Sequence, residues 1–193
     1  MNRIFIIQSL IDKIGAKKYL EVGVQLGHCF NTVKCDYKIG VDPDPGSAAT
    51  HIMTSDDFFA QNTEKFSVMF SDGLHHADQS ERDLNNMLNC LEERGFIIAH
   101  DMLPNSKHCQ EIPLTDQNEW CGNVWLSWVK LRMTRDDLEM YCIDTDWGTS
   151  VIRKGKQELL KVDGPIDYEG FVKNRDRWMN VISVAQFKQK FLD

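Results

Sequence analysis

Acidic and imidazole side chains follow two stretches of sequence that are typical of buried β-strands. Asp72, His75 and His76 come directly after the run FSVMFS, and His100 and Asp101 end the run FIIAHD. Because the carboxyl ends of neighbouring parallel strands open onto one crevice, we expect these side chains to converge there. A histidine titrates near neutrality and is suited to remove a proton from a reacting group. The structural alternative is a histidine that caps the following helix or lies exposed in a turn.

A second motif, EVGVQLG, spans residues 21–27 at a predicted strand-to-helix turn and contains Gly23 and Gly27. Glycines at such a turn let the backbone approach a ligand, and the helix N-terminus offers N–H donors to a carboxylate or phosphate. The next predicted strand ends at Asp42, where an acid can accept two hydrogen bonds from ribose hydroxyls. The pattern favours an adenosine ligand. The alternatives are a plain helix cap at the glycines and an ordinary turn at Asp42-Pro43.

The elements that must position these residues alternate along the chain. Strand patterns occur in KYLEV, YKIGV, FSVMFS, FIIAH, LEMYCID and TSVIRK, and helical patterns occupy residues 2–14, 29–34, 55–61, 78–93 and 124–133. This alternation predicts an α/β fold with a Rossmann-like, doubly wound, mostly parallel sheet of about seven strands. The last two runs predict an antiparallel hairpin at one edge. For the longest helix we expect a capping-box-like start at Asp78 and Glu81 and a stop at Gly95.

The length of 193 residues predicts one domain. We expect an N-terminal helix in residues 1–15, an irregular segment at 103–122 that covers the active site as a lid, and a docked helical tail at 165–193. The aromatic residues of this tail make a subunit interface, and so a homo-oligomer, conceivable.

Composition excludes several classes of partner. The formal charge of −7, without clustered Lys or Arg, argues against binding to nucleic acid or to an anionic membrane. No apolar run is long enough to span a membrane, and the start of the chain does not match a secretion signal, so we expect a cytoplasmic protein. The six cysteines form no CxxC pair and are expected to be free thiols.

Three stretches together resemble successive motifs of the class I S-adenosylmethionine-dependent methyltransferases. They are YLEVGVQLGHCF, IGVDPDP and FSVMFSDGLHHADQSERDLNNMLNCLEERGFIIAHDM, which cover about residues 18–102. The third is similar to a small-molecule O-methyltransferase subgroup with the signature Asp-Gly-x-His, a long helix, Gly-Gly and then His-Asp. One departure is Glu93-Arg94-Gly95, where the family usually has Pro-Gly-Gly.

The resemblance implies S-adenosylmethionine as the cofactor and assigns residues to each part of it. Glu21, Gly23 and Gly27 would hold the methionine end, and Asp42 would bind the ribose. Ser55 and Asp56 would contact the adenine, and Asp57 is an equally good candidate.

The resemblance also implies a base and a metal site. His75 stands where catechol-type enzymes place their general base, and His76 is the second choice. Asp72 and Asp101 align with carboxylates that hold a divalent, magnesium-like ion, Mg²⁺, but Met102 replaces a neighbouring amide ligand. Without a metal, Asp72 would orient the cofactor, and Asp101 would hold His75 or bind a substrate hydroxyl.

The resulting hypothesis is methylation of a hydroxyl on a small molecule such as a sugar or glycosylated metabolite. One alternative is a non-catalytic binding or assembly module of the same fold. Another is a nicotinamide-dependent oxidoreductase, which the Gly-x-x-x-Gly spacing and the acidic cluster disfavour. Among three nearby tryptophans, Trp125 and Trp128 share helical spacing and are expected in the core, whereas Trp120 is the better substrate contact.

Overall fold

Eight strands form a single sheet in the computed structural model, which describes residues 1–114 and 119–193. The strands are β1 (Lys18–Val22), β2 (Tyr37–Asp42), β3 (His51–Ile52), β4 (Phe66–Ser71), β5 (Leu91–Ala99), β6 (Leu138–Ile143), β7 (Thr149–Lys154) and β8 (Val181–Ile182). Their order across the sheet is β3-β2-β1-β4-β5-β7-β6-β8, and only β7 runs antiparallel to its neighbours. The α/β, mostly parallel architecture is therefore confirmed. The short strands β3 and β8 were not predicted, and β8 rather than the β6–β7 hairpin forms that edge.

Seven α-helices flank the sheet in the described part of the chain. They are α1 (Arg3–Ile14), α2 (His28–Thr32), α3 (Ser55–Gln61), α4 (Ala77–Cys90), α5 (Trp125–Thr134), α6 (Tyr168–Met179) and α7 (Val184–Phe191). The N-terminal helix begins where the Asn2 side chain accepts a hydrogen bond from the Phe5 N–H, and it ends at Gly15 in a left-handed conformation. A short 3-10 helix at His108–Gln110 interrupts the irregular segment that follows β5.

Apolar side chains fill two layers, one on each face of the sheet. On β1, Leu20 belongs to the layer beneath α3, α4 and α5, whereas Tyr19 belongs to the layer beneath α1 and α7. This division follows from the two-residue period of a strand. The C-terminal tail packs into both layers, because Trp178 and Phe187 are fully buried. Trp125 and Trp128 are buried in the core as predicted.

The longest helix differs at both ends from the prediction. Asp78 does not cap it: α4 begins at Ala77, whose N–H bonds the Asn123 side chain at 2.7 Å. The helix ends at Cys90, and Gly95 lies inside β5 rather than at a helix stop. A Cβ on Gly95 would lie 2.7 Å from the carbonyl oxygen of Ser67 on β4. The glycine therefore serves close strand packing beside an irregularity in the β4–β5 register.

All six cysteines are free thiols, as expected. Within residues 1–114 and 119–193, no helix is long and apolar enough to cross a membrane.

Candidate active site

A cavity of about 440 Å³ opens at the carboxyl ends of β1, β2 and β4. This volume lies within the range of small-molecule sites in proteins. Five residues that the sequence analysis assigned to the cofactor line the cavity: Gly23, Asp42, Ser55, Asp56 and Asp72. The structure therefore brings most of the predicted binding residues to one concave surface.

Gly23 lets the ends of two neighbouring strands meet at this cavity. Its φ is +87°, and a Cβ at this position would lie 1.9 Å from the carbonyl oxygen of Asp72. Only glycine fits so close a backbone contact. Gly27, also left-handed at φ +78°, precedes α2 and does not line the cavity.

Two backbone N–H groups hold the Asp42 carboxylate, one from the loop after β1 and one from the turn after β2. Its Oδ2 accepts the backbone N–H of Gln25 at 2.8 Å, and its Oδ1 accepts that of Asp44 at 2.9 Å. An ionised carboxylate offers about four acceptor positions, so roughly two remain for a ligand. Gln25, at φ +46°, has an unusual backbone conformation for a non-glycine residue. The hydrogen bond from Gln25 to Asp42 was not predicted from the sequence.

Glu21 occupies a different environment from the other predicted cofactor residues. It shares the face of β1 with Tyr19, whose hydroxyl donates to Glu21 Oε2 at 2.6 Å. Burial raises the pKa of Glu21 to about 7, although the hydrogen bond from Tyr19 opposes the shift. Glu21 does not line the 440 Å³ cavity. Its predicted part in cofactor binding stays a prediction.

The first turn of α3 forms the far wall of the cavity. Gln79 on α4 donates through Nε2 to Ser55 Oγ at 3.1 Å, Asp56 Oδ1 at 3.2 Å and Asp83 Oδ1 at 3.0 Å. Asp57 instead accepts a hydrogen bond from the Thr54 hydroxyl at the start of the helix and is not in the lining. This geometry favours Ser55 and Asp56 over Asp57 as ligand contacts. It also adds Gln79, which the sequence analysis missed.

Beside the cavity, Asp72, His75 and Asp101 form a compact cluster. One ligand atom from each lies within 4.8 Å of the others. His75 Nε2 is 3.4 Å from Asp72 Oδ1 and 3.2 Å from Asp101 Oδ2. Burial opposes protonation of His75, but the two carboxylates outweigh it and raise the pKa of the imidazole. The predicted convergence of these three residues is present in the structure.

The main chain of residue 120 fixes the tautomer of His75. Nδ1 lies 3.2 Å from the carbonyl oxygen of Trp120, which can only accept, so Nδ1 carries a hydrogen. Nε2 is consequently the nitrogen that faces the carboxylates and can gain or lose a proton. The indole of Trp120 also stacks on the imidazole with centroids 5.1 Å apart, and Trp120 Nε1 donates to the carbonyl of Glu111 at 2.7 Å.

These contacts place part of the irregular segment over His75. Cys121 is tied back to Cys109 by a backbone hydrogen bond of 2.8 Å, which stabilises the path of the chain beside Trp120. The predicted lid at 103–122 includes residues 115–118, which lie outside the described residues. Movement of this segment stays a prediction.

The other two histidines have different surroundings. His76 precedes α4 and meets the edge of Trp120, outside the three-residue cluster. His100 is buried, with Nδ1 3.1 Å from Asp101 Oδ1 and Nε2 2.6 Å from Nη1 of Arg3. Burial opposes protonation of His100, but Asp72, Asp101 and Asp146 outweigh it and raise the pKa of the imidazole well above its ordinary value, so Nδ1 donates towards the Asp101 carboxylate. His100 thus holds Asp101 in place.

Arg3 and Asp146 complete this network from opposite ends of the chain. The backbone N–H of Arg3 donates to Asp146 Oδ2 at 2.6 Å, and Asp146 Oδ1 lies 3.6 Å from His100 Nε2. Neither residue was identified from the sequence, because no motif signals a contact between residues 143 positions apart.

Comparison with known proteins matches residues 38–102 to the model of a methyltransferase domain family. Residues 38–102 are therefore similar in sequence to a methyltransferase domain. The matched segment contains Asp42, Asp72, His75 and Asp101, so the family signature and the cluster coincide. No curated protein matches the sequence.

Solved structures of low sequence identity share its fold. An O-methyltransferase from Bacillus cereus in complex with S-adenosylhomocysteine has a TM-score of 0.54 at 12% identity, with 77% of each chain covered. A methyltransferase from Podospora anserina bound to S-adenosylhomocysteine has a TM-score of 0.59 at 14% identity, covering 79% of this chain and 77% of that one. The O-methyltransferase TomG from Streptomyces achromogenes, in complex with S-adenosylmethionine, has a TM-score of 0.57 at 13% identity and covers 77% of this chain and 78% of its own.

Proposed function

We propose that the protein is a class I S-adenosylmethionine-dependent methyltransferase that acts on a hydroxyl oxygen of a small molecule such as a sugar or a glycosylated metabolite. The observation that carries this proposal is the cluster of Asp72, His75 and Asp101 directly beside the cavity of Gly23 and Asp42. Transfer to oxygen needs a group that accepts the hydroxyl proton, and the cluster contains one. Similar folds that are O-methyltransferases, including TomG, which is involved in tomaymycin synthesis, support a small-molecule acceptor.

The 440 Å³ cavity suits the cofactor in shape and in donor chemistry. The carboxylate of Asp42 would receive the ribose hydroxyls, while Ser55 and Asp56 would face the adenine. Bound S-adenosylmethionine supplies a methyl group on a positively charged sulfur. The negative charge of Asp72, which lines the cavity, would favour this sulfonium end.

His75 would act as the base through Nε2. Its Nδ1 hydrogen bond to the Trp120 carbonyl keeps the ring oriented while Nε2 takes the proton. Asp101, 3.2 Å from Nε2, would stabilise the imidazolium that forms. Alignment of the acceptor oxygen with the methyl group would supply much of the remaining rate enhancement.

The same cluster fits a divalent cation such as Mg²⁺. Asp72 and Asp101 offer hard carboxylate oxygens, the donor type that magnesium prefers, on two adjacent strand ends. A bound cation would lower the pKa of the acceptor hydroxyl. In this proposal the carboxylates hold the ion, and the charge of the ion would oppose the rise in the pKa of His75 that they cause in the metal-free protein.

The test separates binding from chemistry by substitution of His75. We expect His75→Gln to bind S-adenosylhomocysteine with unchanged affinity in calorimetry, and to lose about a hundredfold in turnover of any accepted hydroxyl substrate. His76→Gln is the matched control, because His76 lies outside the cluster. Equal turnover by His75→Gln and the wild type would exclude His75 as the base.

A homo-oligomer and a cytoplasmic location stay predictions. Light scattering of the purified chain would test the first of these.

A further inference from the structure

Two cysteines beside the candidate active site lie in contact although they are far apart in the sequence. The sulfur atoms of Cys109 and Cys121 are 3.7 Å apart across a separation of 12 positions, and both side chains are buried. Among the described residues, which include all six cysteines, no other pair of thiols shows such a contact. This separation matches no common cysteine motif, so only the fold reveals the pair.

The main chain already holds the two cysteines at a distance that a disulfide can bridge. The carbonyl oxygen of Cys109 accepts the N–H of Cys121 at 2.8 Å and the N–H of Gly122 at 3.2 Å. Main-chain hydrogen bonds between facing residues bring their Cα atoms to roughly 5–6 Å, and disulfides span about 4.4–6.8 Å. A disulfide of about 2.05 Å therefore needs the two sulfur atoms to approach by about 1.7 Å, which side-chain rotation can supply.

Both cysteines lie outside the sheet, in stretches where the side chains can adjust. Cys109 is the middle residue of the 3-10 helix at His108–Gln110, and Cys121 lies shortly before α5. Cys109 Sγ also meets the carbonyl oxygen of Ser106 at 3.3 Å, and a thiol is only a weak donor. Loss of this contact costs little, so it does not oppose the approach of the two sulfur atoms.

The pair also lies next to residues of the three-residue cluster. Cys121 directly follows Trp120, whose carbonyl oxygen is 3.2 Å from His75 Nδ1. The thiol of Cys121 lies beside Asp101: burial, and next the charge of Asp101, raises the pKa of Cys121. A covalent bond from Cys121 to Cys109 would therefore anchor the main chain that orients His75.

We propose that Cys109 and Cys121 are a redox-sensitive pair, which a low-molecular-weight disulfide such as glutathione disulfide converts into a cross-link beside His75. One cysteine thiolate attacks the glutathione disulfide, forms a mixed disulfide with one glutathione and releases the other. The second cysteine then attacks the cysteine sulfur of the mixed disulfide and displaces the remaining glutathione. The two cysteines are oxidised, and the two glutathione molecules that leave carry both thiol protons. This inference goes beyond the proposed function, and its test needs no methyl acceptor.

Mass spectrometry of the oxidised protein tests for the cross-link. The folded protein is incubated with glutathione disulfide for hours, because buried thiols react only when their segment opens locally. Free thiols are then blocked, and the unfolded chain is digested without reductant after glutamate, since Glu111 and Glu119 separate the two cysteines. We expect a fragment that joins Cys109 to Cys121 and is lost on reduction. Cys35, the one partly exposed cysteine, should carry glutathione, which shows that the reagent is active.

Cys35→Ser is the control and should keep the joined fragment, whereas Cys109→Ser and Cys121→Ser should each lose it. In the Cys35→Ser background, the oxidant should raise the melting temperature by roughly 5 °C, because the cross-link closes a short loop. The melting temperature of each variant in reductant shows that it is folded. Three results would overturn the inference: no joined fragment once Cys35 has reacted, a joined fragment that forms only in urea, or a melting temperature that the oxidant leaves unchanged.

Discussion

Substitution of Asp42 by asparagine should weaken cofactor binding. Two of its roughly four acceptor positions are used by the Gln25 and Asp44 N–H groups, which leaves about two for ribose hydroxyls. Asparagine keeps one oxygen acceptor and replaces the other oxygen by an N–H donor, so one of the two ribose hydrogen bonds is lost. A hydrogen bond to a charged group contributes about 1.5 kcal/mol at the low end, which corresponds to a Kd increase of roughly tenfold.

Calorimetry with S-adenosylhomocysteine measures this effect directly. Asp57→Asn is the matched control, because Asp57 lies at the start of α3 and does not line the cavity. Its Kd should stay within twofold of the wild type. A Kd for Asp42→Asn within threefold of the wild type, in a protein with unchanged melting temperature, would refute the assignment of the ribose to Asp42.

Three further predictions follow from the geometry. Gly23→Ala should lower the free energy of unfolding by about 3 kcal/mol in urea titrations, because a Cβ would lie 1.9 Å from the Asp72 carbonyl oxygen at φ +87°; a loss below about 1 kcal/mol would contradict the close contact. Without a divalent cation, the carboxylates raise the pKa of His75, so its neutral, proton-accepting form is populated only above that raised pKa. In metal-free buffer, kcat/KM should therefore rise with pH through a midpoint above the ordinary histidine value, and Asp101→Asn should move the midpoint to lower pH, whereas a flat profile would count against His75 as the base. Mg²⁺ should bind the wild type in calorimetry and not Asp72→Asn, and binding that survives this substitution would place the ion elsewhere.

The sequence alone predicted which side chains converge because of where its motifs lie. Asp72 and Asp101 follow buried parallel strands, so their convergence at one edge of the sheet was predictable from strand order. Gly95 was misassigned because glycine signals both a helix end and a close approach of two strands, and only the position of Ser67 decides between them. The direction of the Glu21 side chain was not predictable either, because it depends on the face of β1 that Glu21 shares with Tyr19.

Contacts made by side chains from distant parts of the chain were beyond prediction. Arg3 reaches His100, and Gln79 reaches Ser55 and Asp56, through contacts that no local pattern encodes. The stacking of Trp120 on His75 likewise depends on the path of an irregular segment with little periodicity. These residues link the loops to the cluster, and their roles follow from tertiary packing.

The hydrogen bond between His75 and the carbonyl of Trp120 has a consequence for engineering. A main-chain group holds the imidazole, so the restraint depends on the course of the polypeptide rather than on the identity of residue 120. On the proposal that His75 is the base, side chains of the segment can thus be varied while Nε2 keeps its orientation. Insertions or deletions between Cys109 and Gly122 would shift that carbonyl, and libraries built on this protein should therefore keep the length of the segment constant.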